Sequence, residues 1–302
     1  MAKALKKVKV SMMNAIHDLP LLVARDEGFF RDEGLDVEIL RTPGSGQRDS
    51  DHQALRENIF ERTMEALYDQ GQCDQFRMCE WGVMKRAVEM GKTGHRPAKI
   101  VALGSAMSTF AIVTDPKSRI YEPEQLKNKP IAVSPYNGSH FTTPKLLEGF
   151  LGRDQIKWTF AGTMKERLDA LAKGEVAAVS VMEPWISIAE KRGMRVLMES
   201  HSTRSEAAGD ELDGATLAAM FRAEARAAAT INAHPEKYAH YLVEEAGGAI
   251  DLAELKLWRI LNAPPAPYTR ERFNDNYQWT LGWGLVPPGA TYENTVDDRA
   301  WR

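Results

Sequence analysis

Two spacings of apolar residues alternate along the chain, one typical of strands and one typical of helices. Short apolar or alternating segments predict strands at 8–13, 35–39, 72–78, 99–103, 110–114, 130–134, 176–182 and 194–198. Helical spacing or helix-forming composition predicts helices at 21–30, 51–68, 81–90, 164–171 and 215–233. We expect residues 14–20 to form a loop, and further helices to begin at Thr143 and at Glu183. Strands that alternate with helices are typical of parallel βαβ units, so the predicted fold class is α/β.

Composition narrows the class of protein. The 302 residues are 43% hydrophobic and 27% charged, which is ordinary for a globular protein, and the length suits two domains. The formal net charge is -3 and no basic arm or stripe stands out, so nucleic acid is not an expected partner. The longest apolar segments fall well short of the roughly 20 residues that a membrane span needs, so we expect no membrane insertion.

The amino terminus bears on the compartment. Lysines are present between Met1 and Ser11, but no apolar segment of the length found in secretory leaders follows them. We therefore expect a cytoplasmic protein as the sequence is written, or a periplasmic one if a leader has been removed.

Cysteines and histidines give little sign of metal or redox chemistry. Cys73 and Cys79 have neither redox nor zinc spacing, and we interpret them as buried reduced thiols, although a disulfide is compatible with the sequence. His52 and Arg56 lie one helical turn apart and are interpreted as a solvated surface pair. The histidines are scattered without a metal-binding motif, so we expect neither a metal nor another cofactor.

Several segments, in this order, resemble a known family. Residues 19–39, which include the stretch Ala24-Arg-Asp-Glu-Gly-Phe-Phe30, resemble the opening of the substrate-binding proteins for nitrate, sulfonates, taurine and thiamin-pyrimidine precursors, the NMT1/THI5-like group of ABC-transporter receptors. Further segments are similar to later parts of that family: 99–103, 118–134, 169–176, 182–193 and 277–286. The stretch 49–77 departs from it, since it is longer and more charged.

The resemblance implies a type II periplasmic-binding-protein fold. Two lobes, each with a mixed and mainly parallel sheet flanked by helices, would enclose a cleft between them. Lobe one would comprise residues 1–107 and 205–302, and lobe two residues 108–204. A small-molecule ligand would bind in the cleft, at loops that follow strand carboxyl ends, where open α/β sheets generally bind ligands.

Four loops are expected to meet in that cleft: 14–18, 78–82, 134–140 and 183–185. The candidate ligand-binding residues on them are Asn14, His17, Glu80, Trp81, Ser134, Asn137, Gly138, Ser139, His140, Glu183 and Trp185. The third loop joins a strand to a helix, so its backbone N–H groups and hydroxyls favour an anion.

Most of these residues also have a purely structural interpretation. His17 would cap the helix that follows, and Trp81 would belong to the core. Ser139 and His140 would form a helix cap, and Glu183 would hold the start of its helix. Both interpretations remain open from the sequence.

Two functions of different classes fit the pattern. The first is a substrate-binding protein that closes by hinge motion on a small polar or anionic organic molecule, such as a sulfonate, carboxylate or pyrimidine-like compound, and delivers it to an ABC permease. The second is a cytoplasmic lyase or hydrolase on the same fold, with His17 as acid/base and Cys79 as a possible nucleophile. A fold alone does not decide between them.

Overall fold

The computed structural model describes residues 4–41, 64–93, 95–134 and 137–302. Several predicted features lie outside the described residues: most of the helix predicted at 51–68, the pair His52 and Arg56, and residues 135–136 of the third candidate loop.

The described chain alternates strands and helices. The strands are β1 Lys6–Met12, β2 Leu35–Arg41, β3 Gln75–Met78, β4 Lys99–Thr114, β5 Pro130–Val133, β6 Lys157–Phe160, β7 Ala178–Met182, β8 Arg195–Ala208 and β9 Leu261–Asn262. The helices are α1 Ala15–Asp26, α2 Phe29–Asp32, α3 Met64–Asp69, α4 Glu80–Thr93, α5 Gly138–Leu147, α6 Met164–Ala172, α7 Trp185–Lys191, α8 Gly214–Ala233, α9 Pro235–Tyr238, α10 His240–Glu245, α11 Arg270–Gly282 and α12 Tyr292–Thr295.

The strands form a mixed sheet with the order β2-β1-β3-β8-β4-β7-β5-β6, and β9 pairs with β4. Strands β2, β1 and β3 are parallel, as are β7, β5 and β6. Between these two groups, the long strands β4 and β8 run antiparallel to each other. With helices flanking this sheet, the predicted α/β class is confirmed.

The predicted lobe boundaries, 107/108 and 204/205, fall inside β4 and β8. These two strands connect the parallel groups, so they are where the chain would pass from one lobe to the other. The division into lobes stays a prediction.

Two local predictions were wrong. Residues 14–20 are not a loop, because Asn14 caps α1 by accepting a hydrogen bond from His17 N at 3.1 Å, and Pro20 lies inside the helix. Helix α5 begins at Gly138 rather than at Thr143, because Asn137 caps it in the same way. In both places the capping asparagine, and not the proline, marks the helix start.

Strand lengths were underestimated for a different reason. Segments 99–103 and 110–114 belong to one strand, and the strand predicted at 194–198 continues to Ala208. Their middle sections carry small and polar residues that give no strand pattern, yet tertiary hydrogen bonds keep them in the sheet. Strand β6 was missed because it lies at the sheet edge and is only partly buried.

Helix α8 packs against α1 at the centre of the main core. Its buried alanines, among them Ala219, Ala223 and Ala227, are four residues apart and form a narrow face that lets the helices approach closely. Glu224 is also fully buried on this helix. Its carboxylate faces the sheet, where it accepts from Ser105 Oγ on β4 and contacts Arg77 on β3.

Candidate functional site

A small cavity, partly open to solvent, lies where β1, β5 and β7 end. Its lining residues come from six elements or the loops that join them: Met13, His17, Phe110, Asn137, Gly138, Ser139, Met164, Arg167, Ser180, Val181, Met182 and Arg204. The position agrees with the general rule that ligands bind outside the carboxyl ends of parallel strands.

Arg167 on α6 brings a buried positive charge to the cavity. Its side chain donates to the Ser180 carbonyl oxygen and, at 3.4 Å, to Ser139 Oγ. Only 3% of the residue is exposed, and no carboxylate among the described residues lies within ion-pair distance of it. Its Nε has no hydrogen-bond partner there. Burial lowers the pKa of Arg167 to about 10, which reflects a charge that lacks compensation.

Arg204 on β8 brings a second buried positive charge to the cavity. The residue is 6% exposed, its Nε has no hydrogen-bond partner within the described chain, and its Nη1 lies 3.3 Å from His17 Nε2. No ion pair to a described carboxylate involves it. Burial lowers the pKa of Arg204, while the thiol of Cys79 and the carboxylate of Asp18 act in the opposite sense.

His17 lies between these charges as a neutral ring. A guanidinium can only donate hydrogen bonds, so Nε2 of His17 accepts one from Arg204. The proton of the neutral ring is therefore on Nδ1. Nδ1 then donates to Ser108 Oγ at 2.5 Å. Burial, with Arg204 and Arg77 nearby, lowers the pKa of His17 well below its ordinary value. The histidine therefore extends the donor-rich wall without adding charge.

The start of α5 completes the polar side of the cavity. Asn137 Oδ1 accepts from Ser139 N at 3.0 Å, and Ser139 Oγ accepts from Ser134 N at 2.9 Å. The positive end of the helix dipole favours negative charge here. Gly138 is required sterically, because a Cβ at that position would lie 2.5 Å from Cζ of Phe110.

The rest of the cavity wall is apolar. Phe110 and Val181 contribute carbon surface, and three methionines contribute flexible thioethers: Met13, Met164 and Met182. A cavity that is cationic on one side and apolar on the other is suited to an anion with an organic body.

Four of the predicted contact residues line this cavity: His17, Asn137, Gly138 and Ser139. Asn14 does not, since its side chain is the cap of α1. Ser134 is tied to Ser139 through its backbone N–H. The structural and the functional interpretations of Ser139 both hold, because it takes part in the helix cap and also faces the cavity.

Glu80 and Trp81 lie away from the cavity. The Glu80 carboxylate is buried and accepts from Arg272 Nε and Nη2 at 3.0 Å each, from the Asn276 amide and from the Tyr268 hydroxyl. Trp81 is stacked on Phe141 with ring centroids 4.9 Å apart. The Glu80 carboxylate is fully engaged by the protein. Trp81 Nε1 has no hydrogen-bond partner in the described chain, but the ring is packed as the core interpretation expects.

His140, Glu183 and Trp185 also serve the structure. His140 packs edge-on against Trp158, with centroids 5.1 Å apart, and burial lowers its pKa to about 4. Glu183 holds the start of α7 through Ser187, at 3.0 Å to its Oγ, and faces Arg259. Trp185 packs against the main core.

The cysteines are free and buried, as predicted. Cys79 packs with Trp81, Phe141 and Leu285 rather than lining the cavity, and burial raises its pKa to about 11. A thiol with that pKa is protonated at neutral pH, which is unfavourable for a nucleophile. Within the described residues, no group of three or more potential ligands is placed to hold a metal ion, and none of the helices is long and apolar enough to cross a membrane.

Arg167 and Arg204 were missed by the sequence analysis. The sequence carries a signal for the first, because Arg167 falls on the apolar stripe formed by Met164, Leu168 and Leu171, where a charge is out of place. The second gives no such signal, since it lies in the polar part of β8 that was not recognised as a strand.

One family model matches part of the chain. Residues 16–54 match the family described as NMT1/THI5 like. The matched region includes α1, and therefore His17. A comparison of the sequence with curated proteins gives no match.

Solved structures are similar over nearly the whole chain. The alkanesulfonate-binding protein SsuA from Xanthomonas axonopodis pv. citri, bound to MOPS, has a TM-score of 0.71 and 15% identity, over 98% of this chain and 99% of its own. The periplasmic nitrate-binding protein NrtA from Synechocystis PCC 6803 has a TM-score of 0.73 and 14% identity, over 99% and 88%. The desulfurization enzyme DSZB has a TM-score of 0.59 and 13% identity, over 95% of each chain.

These findings confirm the resemblance seen in the sequence: the chain contains an NMT1/THI5-like segment and has the fold of the periplasmic binding proteins.

Proposed function

We propose that this protein binds a small organic monoanion in the cavity between Arg167 and Arg204 and serves as the substrate-binding component of an ABC importer. One observation carries the proposal: two arginines, each more than nine-tenths buried, face one cavity without a carboxylate partner in the described chain. Leaving a charge buried and unpaired costs several kcal/mol, so such a pair favours a ligand that supplies the missing negative charge.

The apolar wall narrows the proposed ligand class. Phe110, Val181 and the three methionines offer no hydrogen bonds to an ion that is polar on all sides. A sulfonate or carboxylate with a compact hydrocarbon body fits both sides of the cavity. The binding of alkanesulfonates by SsuA is consistent with this class.

A panel of matched compounds tests the proposal. Butane-1-sulfonate and pentanoate are compared by calorimetry with uncharged butane-1-sulfonamide and pentanamide. We expect the anions alone to bind, and Arg167→Gln or Arg204→Gln to weaken binding at least tenfold. Arg31→Gln, at an exposed arginine, is the matched control. Equal binding of charged and uncharged partners would refute an anion site.

The importer role also requires movement and a partner. We propose that residues 108–204 close as one lobe against the rest of the chain, and that a permease recognises the closed form. Arg259 supports this proposal, because it lies outside 108–204 and pairs with Glu183, Glu190 and Glu199 inside it. We expect the native protein in the periplasm, and cell fractionation of the native host tests this.

A catalytic role for His17 is the second candidate, since this histidine lines the cavity. Its environment argues against strong base chemistry: Arg204 engages Nε2, and both Arg204 and Arg77 disfavour the imidazolium that a base must form. We therefore favour binding. Turnover of a bound anion that is lost in His17→Gln, with its affinity retained, would reverse that preference.

A further inference from the structure

A cluster of charges lies buried directly behind the cavity. Arg77 on β3 contacts three carboxylates: Asp18 at 3.0 Å, Glu206 at 2.5 Å and Glu224 at 2.7 Å. None of the four side chains is more than 2% exposed. One guanidinium therefore faces three acidic groups in the core, which leaves an excess of negative charge unless another cation is near.

Such a cation is Arg204, which lines the cavity. Arg204 and Glu206 are two residues apart on β8 and thus lie on the same face of the strand. The register of β3 and β8 places Arg77 opposite Glu206. Asp18 accepts a hydrogen bond from the backbone N–H of Met13, a lining residue, at 2.9 Å. The buried cluster and the cavity are consequently one electrostatic unit.

Around the cluster, two arginines, at 77 and 204, face three carboxylates, at 18, 206 and 224, in the described part of the chain. Arg167 is too far from these carboxylates for them to influence its pKa, so it does not offset their charge. A monoanion that enters the cavity beside Arg204 adds a further negative charge. Inside a protein such an excess is costly, and a buried carboxylate commonly relieves it by taking a proton.

Glu224 is the carboxylate with the fewest donors. Asp18 receives N–H donors from Met13, Asn14 and Arg77, and Glu206 receives them from Arg77 and Gln75. Glu224 receives one hydrogen bond, from Ser105 Oγ at 3.0 Å.

The arginine beside Glu224 offsets this only in part. Arg77 Nη2 lies 2.7 Å from Glu224 Oε2, whereas Glu224 Oε1 has no hydrogen-bond partner in the described chain. One oxygen of the charged carboxylate is therefore left poorly solvated.

The groups that face Glu224 shift its protonation equilibrium in opposite directions. Arg77 from β3 favours the charged form, whereas Glu206 from β8 opposes it and Ser105 from β4 supplies a neutral donor. Asp18 from α1 lies on the far side of Arg77 and competes for its charge. Burial outweighs the attraction of Arg77 and raises the pKa of Glu224 to about 7.

We infer that the cavity takes up its monoanion together with one proton, and that Glu224, behind the cavity wall, holds that proton. The inference rests on the proposed function and adds a restriction on the charge of the ligand. Affinity falls about tenfold for each pH unit between the pKa of Glu224 in the free protein and its higher pKa in the complex, because one proton enters with each ligand over that range. A dianion, which would require a second proton, is selected against.

Calorimetry with butane-1-sulfonate in two buffers of different ionisation enthalpy counts the protons taken up. At pH 8 we expect nearly one proton per ligand for the native sequence and for Glu175→Gln, a change at an exposed glutamate. We expect Glu224→Gln to bind the sulfonate without proton uptake. Binding without proton uptake in the native sequence, or unchanged uptake in Glu224→Gln, would overturn the inference and leave the anion site intact.

A measurement without ligand separates the two proposals if the sulfonate does not bind. Infrared spectra of the free protein follow the carbonyl band of a protonated carboxyl group from pH 5 to 9. We expect Arg204→Gln to raise the midpoint pH of this band by about one unit or more. The substitution removes a positive charge near the carboxyl group, which has the same electrostatic effect as neutralising Arg204 with a bound anion. Burial also raises the pKa of Glu65 and of Glu183 to about 7, so the signal of Glu224 is the part of the band that Glu224→Gln removes. A midpoint that does not respond to Arg204→Gln would refute the coupling of Glu224 to the cavity.

Discussion

At the scale of single residues, the proposed site depends on buried arginines that have no carboxylate partner in the described chain. Arg77 and Arg259 are buried with carboxylates around them, whereas Arg167 and Arg204 are buried without them. Burial is the same in all four, so it does not distinguish a structural arginine from a binding one. The absence of a carboxylate in the described surroundings does, because an unpaired charge in the core is otherwise costly.

The two buried histidines give the protein a predictable response to acid. Burial lowers the pKa of His140 to about 4 and that of His17 well below its ordinary value, so the unfolded chain binds protons more readily. Stability is then lost as pH falls below about 6.5, by roughly 2 kcal/mol per histidine between pH 7 and 5. Urea unfolding of His140→Gln at both pH values should show a loss smaller by about that amount. An identical loss in native protein and variant would show that His140 is not held neutral.

At the scale of elements, helix starts position the site. Asn14 and Asn137 cap α1 and α5, and each cap places its helix's first turn, which carries His17 or Ser139, at the cavity. These loops and their polar residues can be predicted from the sequence. The helix starts cannot, because Pro20 and Pro144 are typical of a first turn but here lie inside a helix held by packing.

Contacts between distant elements explain why other candidate residues do not line the cavity. Glu80, Trp81 and Glu183 also follow strands, as the binding loops do, but their partners come from distant parts of the chain. Arg272 and Arg259, both far along the sequence, occupy the two carboxylates. Such pairing depends on tertiary structure, and no local sequence pattern predicts it.

Gly138 gives a test at the start of α5. A methyl group there would displace the ring of Phe110, which forms part of the cavity wall. We expect Gly138→Ala to cost about 1–3 kcal/mol of unfolding free energy and to weaken anion binding. Gly149→Ala, where a methyl group meets nothing within 4 Å, is the control and should change neither quantity. Unchanged binding in Gly138→Ala would remove Phe110 from the proposed site.

At the scale of the whole molecule, β4 and β8 join two parallel groups of strands, and contacts between the proposed lobes lie beside them. Arg259 donates to Glu190 at 2.8 and 3.0 Å and to Glu199 at 2.9 Å. On another side, Glu148 accepts from the indole N–H groups of Trp279 and Trp283. These contacts would stabilise a closed arrangement.

Removal of one such contact should favour an open form. We expect Arg259→Gln to increase the radius of gyration measured by X-ray scattering and to weaken anion binding several-fold, since closure then costs more. Arg226→Gln, whose partner Asp32 lies in the same proposed lobe, is the control. An unchanged scattering curve with lower stability would mean that Arg259 only supports the fold.

The central claim is that the cavity holds an organic monoanion between two buried arginines, and native mass spectrometry tests it without a choice of ligand. The protein is purified rapidly from its own host, and its mass is compared with that of a variant carrying both Arg167→Gln and Arg204→Gln. The account predicts a small anionic molecule on the native protein that is missing from the variant. A neutral or cationic ligand, or the same ligand on both proteins, would contradict it.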